Sequence, residues 1–151
     1  MIRDATYGEV RDVQLAVLRP FGALPGDSEP TAGWLHVAAE TDGRIVGACT
    51  IGPSSWQHPE VAALPEPQWQ LRSMAVLPEF RGGTGSALLG AAVARARAAG
   101  AASLWANARV EALGLYLRRG WSAVGPEWVK TGIGPHRWIV LTDLSSGVGE
   151  E

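Results

Sequence analysis

Among 151 residues there is one cysteine, one lysine and no long uncharged apolar run. A lone thiol, Cys49, closes no internal disulfide, and three scattered histidines do not make a zinc site, so no structural metal is expected. A chain of this length buries roughly 68–70% of its extended surface on folding, enough to do without either staple. A reducing, cytoplasmic compartment is the expectation. The longest stretch free of charge, 45–59, contains Thr50, Ser54, Ser55, Gln57 and two prolines, so it offers no membrane span. Arg3 and Asp4 stand where a secretory signal would begin its apolar core. Charge of one sign is also missing: 13 basic residues face 15 acidic ones, and no global field draws the chain to nucleic acid or an anionic membrane. With 46% apolar residues, the chain has the composition of one soluble globular domain. Its expected limits are 1–144, with 145–151 a polar, acidic tail.

The periodicities predict a strand over 2–6, then a helix capped by Thr6 with Val10, Val13, Val17 and Leu18 on one face, stopped by Pro20. After a Gly- and Pro-rich loop over 21–33, strands over 34–39 and 44–51 flank Asp42-Gly43, a strong hairpin signal. A second loop, 53–67, leads to a central strand over 68–76. In the next helix Gly85, Leu88, Leu89, Ala92, Val93 and Ala96 share a face, and Gly100 stands at its C-terminal cap. A strand over 103–106, a helix over 111–119 with Leu113, Tyr116 and Leu117 inward, and strands over 121–130 and 137–142 complete the order. The fold class is α+β: a mixed, mostly antiparallel sheet of six to seven strands with helices on both faces. The strand-helix-strand unit from 71 to 106 forces one parallel pair.

The chemistry concentrates at Arg81-Gly82-Gly83-Thr84-Gly85-Ser86, between a strand and a helix. Its glycines leave backbone N–H groups uncovered, and the helix start adds its positive dipole end, which makes an anion cradle. Alone, such glycines also serve as an ordinary turn. A P-loop needs Gly-Lys-Ser/Thr, but the only lysine is Lys130. A dinucleotide fold needs an acid about 20 residues on, and none occurs between Glu79 and Glu111. That interval carries Arg81, Arg95, Arg97 and Arg109, which favours an anionic ligand, although Arg95 and Arg97 fit solvated helix positions.

The stretch Val76-Leu77-Pro78-Glu79-Phe80-Arg81-Gly82-Gly83-Thr84-Gly85-Ser86-Ala87-Leu88-Leu89 resembles the acetyl-CoA signature of the GNAT N-acetyltransferases. Tyr116-Leu117-Arg118-Arg119-Gly120-Trp121 resembles that family's later Tyr, three residues, Gly, aromatic motif, and the order of elements is similar as well. The resemblance implies acetyl transfer from acetyl-CoA to a primary amine of a small molecule, by direct attack in a ternary complex. It implies that Met74, Ala75 and Val76 offer backbone groups to the coenzyme and that residues 81–86 hold its pyrophosphate. Tyr116 matches the general acid that meets the departing thiolate, a role typically contributing about 10²–10⁴-fold. The turn is one residue shorter than the family's usual Arg-Gly-X-Gly-X-Gly, which puts Phe80 where Gln or Arg is preferred. Where the family often has Asn, seven residues before the Tyr, this chain has Arg109, with Asn107 two residues earlier; both are candidates for the pantetheine arm or phosphates.

Spacing compels no general base. His136, with an ordinary pKa of about 6.5, is the leading candidate, and Glu79, Glu127 and His58 are alternatives. Trp56, in the proline-rich loop, and Arg19, at the end of the first helix, are candidates for the acceptor site. Cys49 lies mid-strand in an apolar run, a poor setting for a covalent intermediate. A non-catalytic acyl-CoA binder or sensor of the same fold is the alternative reading, and exposed strand edges near the C-terminus leave room for a homodimer.

Overall fold

The computed structural model describes residues 1–19, 33–58 and 63–145. All of the expected loop over 21–33 but Gly33, part of that over 53–67 and nearly all of the expected tail lie outside those residues. Strand β1 (Ile2–Ala5) leads into helix α1 (Tyr7–Leu18), and Thr6 builds a capping box between them. Its Oγ1 accepts from the Glu9 amide at 3.2 Å while its own amide donates to Glu9 Oε1 at 2.9 Å, satisfying two helix-end donors at once. The hairpin β2 (Leu35–Thr41) and β3 (Arg44–Pro53) turns at Asp42-Gly43, as the Asp-Gly pair predicts, with both residues at positive φ. Strand β4 (Gln68–Val76), helix α2 (Thr84–Ala98) and strand β5 (Ser103–Arg109) form the strand-helix-strand unit. Helix α3 (Leu113–Arg118) and the hairpin β6 (Ser122–Lys130) and β7 (Gly134–Leu141) follow.

Seven strands form one sheet in the order β1-β2-β3-β4-β5-β7-β6, antiparallel except for β4 and β5. Helix α2 buries Leu88, Leu89, Ala92, Val93 and Ala96 on one side of it, against Val37, Ile51, Leu104, Ile139 and Leu141. It ends in a Schellman motif: Gly100, at φ +96°, donates to Arg97 O, and Ala101 to Ala96 O. Helix α1 covers the other side, packing Val10 and Val13 on Ala38 and Ala48.

Two local expectations are corrected. The segment 111–119 is not one helix: a 3-10 turn over Val110–Ala112 precedes α3. Within α3 Tyr116 points inward, while Leu117, one residue and about 100° further round, is 49% exposed, so the expected inward place of Leu117 is corrected. The last strand starts at Gly134, earlier than the proline at 135 implied. Pairing of β7 with β5 begins at His136, so Pro135 withholds its missing donor from no ladder bond with β5.

Candidate active site

The site begins where the sheet splits. Strands β4 and β5 pair from Gln68/Ser103 to Leu71/Ala106 and then part, although β4 runs on to Val76 and β5 to Arg109. The cause lies on the other side of β4. Ala48 pairs with Ala75 and Thr50 with Arg72, so Ser73 and Met74 together oppose Cys49 alone. This is a β-bulge, which bends and twists its strand. Ser73 adopts φ +58°, a left-handed conformation that few non-glycine residues take. Gln14 of α1, buried, holds it there: its Nε2 donates to Ser73 O at 3.2 Å and to Thr50 Oγ1 at 3.0 Å, and Thr50 Oγ1 also meets His36 Nδ1 at 2.9 Å. Met74, Ala75 and Val76 thus present toward the split an edge that has lost its ladder to β5.

Just beyond them lies the glycine turn. Gly82 and Gly83 adopt φ +111° and +137°, and a Cβ on either would meet nothing within 4 Å, so the turn is open. Thr84 Oγ1 donates to Phe80 O at 2.8 Å and pins the turn to the 3-10 segment before it. The first helical bond of α2 runs from Ala87 to Gly83 O, so among the described residues no backbone carbonyl accepts from the amides of Gly82, Gly83, Thr84, Gly85 or Ser86. Unpaired amides at a helix start bind anions. Arg81 is exposed beside them. Phe80 packs against the core and lies under the Arg44 guanidinium at 5.8 Å. Gly85 lets Leu115 of α3 approach to 3.4 Å of where its Cβ would sit, docking α3 on the turn.

Tyr116 is placed by the residues after it. Gly120, at φ +90°, donates to Leu117 O, and the Trp121 amide donates to Tyr116 O at 3.1 Å, a second Schellman motif. The Trp121 ring then packs edge-on against the Tyr116 ring, with centroids 5.5 Å apart. The spacing Tyr, three residues, Gly, aromatic is therefore a cap that fixes one phenol. Burial pushes the Tyr116 pKa well above the ordinary phenol range, with proximity to Cys49 adding to it, so the hydroxyl remains a donor at any physiological pH.

Tyr116 lines a cleft of about 490 Å³ on the α1 side of the split, together with Gln14, Arg72, Asn107, Arg109 and His136. His136, 4% exposed, has Nδ1 2.8 Å from Gly134 O. A carbonyl only accepts, so Nδ1 carries the proton and Nε2 keeps its lone pair. Desolvation lowers the imidazole pKa, with Lys130 and Arg109 contributing, and the ring is held neutral. Trp128 packs beside it, centroids 5.5 Å apart.

Of the other candidates, Arg19 and Met74 line the cleft, and Asn107 brings a buried Oδ1 that has no hydrogen-bond partner. Arg109 is tied to α1 through Leu18 O at 2.9 Å. Trp56 is not among the lining residues; it is buried among Trp105, Trp138 and His58 and pins the loop to the sheet. Glu79 and Glu127 are exposed away from the cleft, and His58 is stacked on Trp138 at 3.9 Å. Sequence reasoning missed Gln14, Thr50, Arg72 and Ser73. Gln14 alone left a signal, an amide on the helix face that carries Val10, Val13 and Val17.

The described residues contain no helix long and apolar enough to cross a membrane and no cluster of metal-ligating side chains. No curated protein sequence matches the chain. Solved structures do match its fold. Escherichia coli ElaA superposes with a TM-score of 0.71 at 15% identity, covering 93% of this chain and 97% of that one. The ribosomal-protein-alanine N-acetyltransferase of Brucella melitensis gives 0.67 at 19%, covering 94% and 99%. A GNAT family acetyltransferase of Elizabethkingia anophelis, with acetyl-CoA bound, gives 0.64 at 15%, covering 94% and 97%. The sequence profile of the acetyltransferase (GNAT) family matches residues 7–121, which span the split, the open amides and the capped tyrosine. The chain belongs to the GNAT family and is an acyltransferase.

Proposed function

We propose that this protein, as a single domain over 1–144, transfers an acetyl group from acetyl-CoA to a primary amine of a small molecule by direct attack in a ternary complex. The observation that carries the reading is the split between β4 and β5, which has open amides at one end and a cleft holding both Tyr116 and a neutral His136 at the other.

The residues present fit the coenzyme. Amides 82–86, with no Cβ in their way at Gly82 and Gly83, suit a pyrophosphate, and the released edge of Met74, Ala75 and Val76 suits the amides of the pantetheine arm. When bound, acetyl-CoA supplies a thioester whose C–S bond is exchanged for an amide C–N bond, the coenzyme leaving as the free thiol. His136 takes a proton from the arriving ammonium at Nε2, freeing the nitrogen lone pair for attack. Tyr116 directs its O–H at the sulfur, where negative charge develops. Because its pKa lies well above that of a thiol, about 8.5, Tyr116 acts chiefly by hydrogen bonding; the proton that ends on sulfur derives from the amine. Buried Cys49, its thiol pKa pushed up to about 12 by desolvation, offers no thiolate for a covalent route.

Release of free thiol from acetyl-CoA, followed across a panel of primary amines with wild type and Tyr116→Phe, tests this. A hydrogen bond to a charged group is worth about 1.5–3 kcal/mol, so the variant is expected to lose about 10- to 100-fold in kcat with acetyl-CoA binding retained. Coenzyme binding without amine-dependent thiol release from any member of the panel would overturn the reading and leave a binder of the same fold.

A further inference from the structure

The cleft is cationic in a protein that is not. Among its described lining residues are Arg11, Arg19, Arg72, Arg109 and Lys130 and no carboxylate, although the whole chain carries a net charge of −2. Three of these cations come from three elements around the split: Arg11 from α1, Arg72 from the first position of β4 beyond the parallel pairing, and Arg109 from the end of β5.

Arg72 is held in place. Its Nε donates to Gln70 Oε1 at 3.0 Å, and its guanidinium lies 4.6 Å above the Trp34 ring. Trp34 in turn lies against Gly52, where a Cβ would fall 2.2 Å from the indole; any other residue on β3 there would displace the ring. Glycine, indole and guanidinium form a layered support that leaves the terminal nitrogens of Arg72 for a ligand, the fork geometry that pairs with oxyanions. Arg109 spends one nitrogen on Leu18 O, a neutral acceptor. None of residues 82–86 lines this cleft, so these cations stand apart from the turn assigned to the pyrophosphate. Their field opposes a polycationic acceptor and favours the unprotonated form of an amine lying among them.

Resting on the transferase reading, we propose that the acceptor is a primary amine that also carries an oxyanion, a carboxylate or a phosphate ester, and that Arg72 and Arg109 bind that group and set acceptor specificity.

The test compares kcat/KM within matched pairs, L-phenylalanine against phenethylamine and O-phosphoethanolamine against ethanolamine, with spermidine as the polycation. The anionic member of at least one pair is expected to lead by about 10- to 100-fold, as for one charge-assisted contact, and the pair that shows it identifies the oxyanion. In Arg72→Gln that ratio falls toward one through KM, while acetyl-CoA affinity stays as in wild type. Equal or better turnover of the amines without an oxyanion or of spermidine, or loss of acetyl-CoA affinity in the variant, overturns this inference and leaves the transferase reading standing. Absence of thiol release from every amine overturns the transferase reading instead. The thermal shifts given by N-acetyl-L-phenylalanine against N-acetylphenethylamine and by O-phosphoethanolamine against ethanolamine then still decide the anion preference: a larger shift from the oxyanion in either pair supports it, and equal shifts in both overturn it.

Discussion

The two sides of the sheet are built on opposite principles. The α2 side is a continuous apolar cluster, in which Leu88, Leu89, Leu104 and Ile139 are fully buried and even Cys49 behaves as a small hydrophobe. The α1 side begins the same way, with Val10 and Val13, and then gives way to Gln14, Thr50, Arg72, Arg109 and His136 around a cleft. One side supplies rigidity and the other, at a cost in packing, supplies polar groups that a ligand can reach. Tyr116 joins them, with its ring among the apolar cluster and its edge on the cleft.

Substitutions should separate the two sides. The largest effect is expected from Leu104→Ala, which removes a fully buried side chain under α2; about 2–5 kcal/mol of stability should be lost in urea unfolding, while kcat of the remaining folded protein stays near wild type. A stability change within experimental error would deny that this side carries the fold. Gly83→Ala comes next. It forces an L side chain to φ +137°, costing about 1–3 kcal/mol of strain or turning the amides away. The expected readout is a raised KM for acetyl-CoA with little change in kcat at saturation, and an unaltered KM would remove the turn from the coenzyme site.

His136 sharpens the comparison through pH. Its folded-state pKa lies below the ordinary imidazole value, so the acid limb of kcat should have its midpoint below about 6.5. His136→Gln should abolish that limb, and an unchanged profile would discharge this residue as the base. The same shift has a stability consequence. The unfolded chain takes up the proton first as pH falls, so this group costs stability progressively from about pH 6.5 down to its folded pKa, and stability rises again with pH across that window. The smallest expected effect is at Cys49, whose thiol pKa of about 12 leaves almost no thiolate. Ellman's reagent should fail to label the native protein and label it fully in denaturant; rapid native labelling would show that the α2 side opens.

What the sequence revealed follows the same division. The glycine turn and the tyrosine cap were legible as local geometry: Gly82, Gly83 and Gly120 each mark a positive φ, and Trp121 stands next to the glycine that lets its amide reach Tyr116 O. The hairpin at Asp42-Gly43 and the core face of α2 were legible for like reasons. The cleft side was not. Arg72 owes its place to Trp34 and Gly52, and Gln14 acts on Ser73, 59 residues away. Nothing near Ser73 in the chain announces a left-handed residue, and in a helix of only six residues the apolar spacing of Leu113, Tyr116 and Leu117 does not tell that Leu117 falls at the edge of the buried face.

The bulge at Ser73 and Met74 has one more implication. The gap between the central strands coincides with an insertion, one amino acid more on β4 than its neighbour can match, with the side chain of Gln14 holding the surplus residue in place. Groups around the opening that take no part in holding the bulge could therefore be exchanged while the opening itself persisted. Deleting that single surplus residue is expected to restore an even register between β3 and β4 and to narrow the space beside it.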